Sequence, residues 1–101
     1  MSVTLSSGLP NDDRNGIGAI SAALVDDPEA VQLVVAAVDC SKITTKVDTG
    51  DVVPTARILG VEAFESNSAI GKQLQQIMRR QYAQRTGRNE LPFPPSEVQQ
   101  E

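Results

Sequence analysis

Histidine and tryptophan are absent from this 101-residue chain, and cysteine occurs once, as Cys40. Without an imidazole there is no Ser-His-Asp or Cys-His catalysis, no histidine-ligated zinc and no histidine pH switch. One thiol cannot close an internal disulfide, so a reducing cytoplasm is the simplest expected home. Aromatics are nearly missing too, Phe64, Tyr82 and Phe93 being the whole set. A core must then come from Val, Ile, Leu and Ala, and support from a homo-oligomer is expected. The longest uninterrupted apolar run, residues 33–38, falls far short of the roughly 20 residues that cross a bilayer, so no membrane partner is expected. Arg14 is the only cation in the first forty residues, and the N-terminus does not read as a secretory signal. A net charge of −4 excludes a wholly basic nucleic-acid binder.

Residues 1–16 are rich in Ser, Asn, Asp, Gly and Pro without apolar periodicity, which reads as a flexible arm. Residues 17–94 read as one small domain and 95–101 as a flexible tail. Ile17, Ile20, Ala23 and Leu24 fall at helical spacing, weakened by two glycines and a serine, and suggest an N-terminal helix. Asp27, Pro28 and Glu29 carry the signals of a helix start, opening at most a turn. Residues 33–47 and 52–64 are dense in β-branched residues and flank Asp48-Thr49-Gly50-Asp51, the pattern of an antiparallel β-hairpin with a tight glycine turn. Pro54, lacking an N–H, belongs on an edge or at a bulge.

Ile70, Leu74, Ile77, Met78 and Tyr82 form one stripe of an amphipathic helix over 68–86, capped by Asn67 or Ser68 and closed by Gly87. The expected fold is therefore α+β, a hairpin packed on a C-terminal amphipathic helix with that stripe as the core. Charge is segregated along the chain. Residues 1–65 carry four cations and ten anions, and residues 66–89 carry five cations and no anion. Lys72, Arg79, Arg80, Arg85 and Arg88 are thus the candidate residues for a phosphate or an acidic partner. Lys72 and Arg79 lie about 20° apart on the helix, away from the apolar stripe. Pairing of these cations with acids of the fold or of a dimer is the competing structural account.

Asp48-Thr49-Gly50 matches the aspartic-protease triplet. That family needs two such carboxylates paired across an almost all-β dimer and a glycine-rich flap, whereas here Asp51 follows directly and a cationic helix fills the second half. A turn is the expected role. Gly71-Lys72 lacks the earlier glycine and the following Ser or Thr of a phosphate loop, and Gly16-Ile17-Gly18 lacks the third glycine of a dinucleotide fingerprint. No acid cluster has calcium-loop spacing. Cys40 reads as a small core or sheet residue. No catalytic, metal or cofactor residue is expected, and the chain reads as non-enzymatic.

The stretch from Val38-Asp39-Cys40 through Asp48-Thr49-Gly50-Asp51 and Pro54-Thr55-Ala56-Arg57-Ile58, then a helix ending Arg85-Thr86-Gly87-Arg88 and Leu91-Pro92-Phe93, resembles small accessory proteins encoded by actinobacterial phages. The resemblance covers residues 32–94 and implies a phage accessory protein acting in the host cytoplasm, with no residue role to carry over. The expected function is docking on a host or phage protein complex through a strand edge or a helix face. The alternative is a DNA-associated protein that contacts phosphates through the helix over 68–88.

Overall fold

The computed structural model describes residues 2–93. Pro94 and the tail expected over 95–101 lie outside the described residues. In chain order the elements are β1 (Thr4–Leu5), β2 (Asn15–Gly16), a 3-10 turn (Ile17–Ile20), α1 (Ser21–Asp26), β3 (Leu33–Thr45), β4 (Val52–Phe64) and α2 (Ala69–Thr86). The coarse expectation, α+β, holds. The chain divides into two units, one comprising Met1–Gly16 with Val35–Glu62, the other Ile17–Val34 with Ala63–Glu101.

The first unit is built on β4. β3 pairs with it through the turn, where the Lys46 N–H donates to the Asp51 carbonyl (2.8 Å) and the Gly50 N–H to the Lys46 carbonyl (2.7 Å). Gly50 takes φ 76°, a left-handed conformation that glycine adopts without a Cβ penalty. Away from the turn the Ser41 hydroxyl donates to the Thr55 carbonyl (3.3 Å), and Arg57 makes a two-pronged contact with Asp39 (3.0 and 2.8 Å).

The expected sheet, an antiparallel β-hairpin, is corrected: β4 has two further partners, and both run parallel to it. Thr4 and Leu5 register with Thr55 and Ala56, and Asn15 and Gly16 with Val61 and Glu62. The reason is physical. A 13-residue strand exposes backbone donors and acceptors that need partners, and any extended segment can supply them whatever its side chains. Residues 1–16, read as an arm, therefore contribute two strands while showing no strand pattern in sequence. The paired stretch of β1 begins one residue beyond Pro54, whose missing N–H is thereby kept out of the register.

In the second unit the expected N-terminal helix is present as the 3-10 turn and α1. The helix start read at Asp27 is corrected. Asp27 is instead the C-cap of α1, its N–H donating to Ala23 (3.1 Å), and the Ala30 N–H donates back to the Asp27 carbonyl (3.1 Å) in a single turn. Pro28 disfavours a helical Asp27 and ends the helix there. α2 matches its expectation closely at both ends. Ser68 caps it, accepting from the Gly71 N–H (3.0 Å) while its hydroxyl donates to the Glu65 carbonyl (2.7 Å), and Gly87 closes it at φ 77°.

The core differs from expectation. The buried apolar residues among those described are Ile20, Leu33, Val61 and Ala63. On α2 the buried positions are Gly71 and Gln75, whereas Ile70, Ile77 and Met78 are exposed and Leu74 and Tyr82 half-buried. The helix seats itself by close approach and hydrogen bonding instead of by its apolar stripe. A Cβ on Gly71 would collide with the Glu65 carbonyl, and the Gln75 side-chain amide donates to the Ser66 carbonyl (3.0 Å). The Ser66 N–H in turn donates to Gln32 Oε1 (3.0 Å).

Candidate functional site

Within the second unit the stripe of α2 walls an open groove of about 550 Å³. Leu74, Ile77, Met78 and Tyr82 line it along the helix, Leu33 and Val34 contribute from β3, and Leu91, Pro92 and Phe93 follow after the cap. Helical spacing made the first four legible as a common face. The Leu-Pro-Phe segment reads from sequence only as a helix stop. Its role as a wall arises because Gly87 turns the chain left-handed at the cap.

The groove's polar lining is Gln81 and Arg85. The Arg85 guanidinium lies 5.6 Å from the centre of the Tyr82 ring, near enough for a cation–π contact. The end of the helix is tied down locally: the Thr86 hydroxyl donates to the Tyr82 carbonyl (2.8 Å) and accepts from the Arg88 N–H (3.2 Å). Arg79 and Arg80 line a second hollow with Gln76, Ala83 and Asn89. The five candidate cations therefore divide: Arg85 belongs to the apolar groove, Arg79 and Arg80 to the hollow, and Lys72 and Arg88 to neither. All five are exposed, and among the described residues the ion pairs are Arg14–Asp12 (2.9 Å) and Arg57–Asp39 (2.8 Å), neither of which involves them. Pairing among the described residues does not account for the cationic helix.

β3 presents a second uncovered surface. Successive side chains of a strand point to opposite faces. Val34 and Val38 belong to one alternating set and Val35 and Ile43 to the other, and all four are exposed. Of its 13 residues only Leu33 is buried. Among the described residues β3 pairs with β4 alone, so it is an edge strand.

Asp48 sits in the turn between β3 and β4. Thr49 supports that turn, its hydroxyl accepting from the Asp51 N–H (3.2 Å), and the described residues hold no group of three His, Cys, Asp or Glu suited to a metal. Cys40 is in the sheet as read but not in a core. It is exposed, its thiol donating to the Lys42 carbonyl (3.2 Å). The two ion pairs shift their carboxyls: the hydrogen-bonded Arg57 holds Asp39 below the usual carboxylate range, and Arg14 does the same to Asp12. No described helix is long and apolar enough to cross a membrane. No protein-family model matches the chain, and no curated protein or solved structure is significantly similar to it.

Proposed function

We propose that this chain is a non-enzymatic interaction protein that docks on a host or phage protein by offering β3 as an edge strand to an extended segment of the partner. The observation that carries this reading is a 13-residue edge strand exposed on both faces. Edge strands are ordinarily blunted by proline, bulges or runs of charge. Residues 33–45 contain no proline and only two charged side chains, Asp39 and Lys42, of which Asp39 is already paired with Arg57. Main-chain hydrogen bonds along such an edge supply affinity, and the alternating side chains supply selectivity. The resemblance to phage accessory proteins supports a host-cytoplasmic setting.

Proline substitution tests this directly, because the N–H groups of successive strand residues point to opposite edges. Ala37→Pro and Val38→Pro thus remove one hydrogen bond to β4 and one free donor. The expected result is a nuclease-resistant partner captured from host lysate by the parent and lost in whichever proline variant keeps the parent's melting temperature. A folded variant that still captures the partner, or a parent that captures none, overturns the reading.

A second reading is favoured by five cations that form no ion pair among the described residues: contact with DNA phosphates through Lys72, Arg79, Arg80, Arg85 and Arg88. Binding would be weak, indifferent to sequence and steeply salt-dependent, since each neutralised phosphate releases a counterion. Replacing Lys72 and Arg79 with Gln should lower the slope of log affinity against log salt by roughly two. No DNA binding by the parent at about 50 mM salt ends this reading.

A further inference from the structure

Two surfaces of the second unit lack partners among the described residues and complement each other. The first is the apolar groove on α2 with Arg85 towards its C-terminal end. The second is the short segment running out of α1: Leu24 and Val25 are exposed apolar residues, Val25 being 76% accessible, and Asp26, Asp27 and Glu29 follow, all exposed. None of these three acids forms an ion pair among the described residues, and neither does Arg79, Arg80, Arg85 or Arg88. We infer that the groove receives the Leu24–Glu29 segment of a second copy of this chain, with Leu24 and Val25 set on Ile77 and Met78 and the acids facing Arg85.

Dimensions and charge order agree. From Leu74 to Arg85 the helix rises about 16 Å, and a six-residue segment spans between about 9 Å as helix and about 20 Å extended. Along the groove face of α2 the apolar residues Leu74, Ile77 and Met78 precede Arg85, and along the segment the apolar pair precedes the acids. Apolar and charged halves can therefore both be matched in one orientation. A foreign acidic peptide would satisfy the same chemistry. A second copy is favoured because each chain carries both halves once, so reciprocal exchange about a two-fold axis makes the contact twice and closes the assembly as a dimer. The groove takes only Leu33 and Val34 from the start of β3, and the inference does not rest on the docking reading above.

Sedimentation of the purified full-length chain tests it without a lysate. The parent should dimerise and weaken as salt is raised from about 50 to about 500 mM. Arg85→Glu should weaken dimerisation by roughly tenfold or more, as should Asp26→Lys, Asp27→Lys and Glu29→Lys together. All four changes in one chain should restore the dimer. A monomeric parent at low salt, reversals without effect, or a folded four-fold variant that stays monomeric would each refute the contact. A probe independent of charge is oxidation of a Cys40→Ser chain carrying Val25→Cys and Met78→Cys. A covalent species of twice the chain mass supports the exchange, and failure to form one overturns it.

Discussion

At Gly71 two effects of a single methyl group oppose each other. Alanine is the better helix former by about 1 kcal/mol. Its Cβ would, however, be driven into the Glu65 carbonyl, a backbone atom that cannot swing aside. Overpacking of this kind costs about 1–3 kcal/mol, so Gly71→Ala is expected to destabilise on balance, measured as a lower urea midpoint. At Gly50 the space is open but φ is 76°. Gly50→Val should cost about 1 kcal/mol or more through backbone strain alone, while Asp48→Asn, in the same turn, should leave stability and any activity nearly unchanged. Loss of activity in a folded Asp48→Asn protein would restore a role for that carboxylate.

The ion pairs also act at the level of single residues. Asp39 titrates below its ordinary range when folded, so its pairing with Arg57 stabilises the native state above the unfolded carboxylate's pKa. That contribution is lost as pH falls through the lower folded value. Between about pH 5 and pH 2 the melting temperature should therefore decline, and Asp39→Asn should flatten part of the slope. The effect is small because both side chains are well exposed.

For the element α2, the anchoring residues are not the most hydrophobic ones. Ile77 is 55% exposed, so Ile77→Ala should cost well below the 2–5 kcal/mol of a buried aliphatic truncation. Gln75 is 7% exposed and its amide serves the buried Ser66. Gln75→Leu strands the Ser66 carbonyl and should cost about 1–3 kcal/mol. Urea melts that rank Ile77→Ala above Gln75→Leu would show that the stripe, and not the polar anchor, seats the helix. The ends of this helix were legible in the sequence, because Ser68 and Gly87 act on the backbone within three or four residues. Its seating was not, because the periodicity of Ile70, Leu74, Ile77 and Met78 marks a common face without saying what covers it.

At the scale of the molecule, the four buried apolar residues among those described are accompanied by many exposed ones, among them Val34, Val35, Val38 and Ile43 on β3 and Ile70, Ile77 and Met78 on α2. Exposed apolar rows along a strand or a helix, as distinct from single scattered residues, mark interaction sites in soluble proteins. An environment-sensitive dye should therefore fluoresce on the native chain at neutral pH with its ellipticity unchanged, a combination otherwise typical of chains that have lost their packing. If the groove is shared between copies, dye binding should fall, and the melting temperature rise, as protein concentration increases. A midpoint independent of concentration together with constant dye binding would indicate that the groove stays open.

Local chemistry by itself determined the two long strands, the glycine turn between them, the caps of α2 and the absence of histidine-dependent catalysis. Each rests on residue type, alternation or backbone freedom within a few positions. Tertiary structure alone decided that Thr4–Leu5 and Asn15–Gly16 lie parallel along β4, that Leu91 and Phe93 wall a groove, and that Gly71 and Gln75 anchor α2. Those outcomes depend on backbone groups and close approaches between segments distant in sequence, and such groups are common to every residue, so no composition or period marks them in advance.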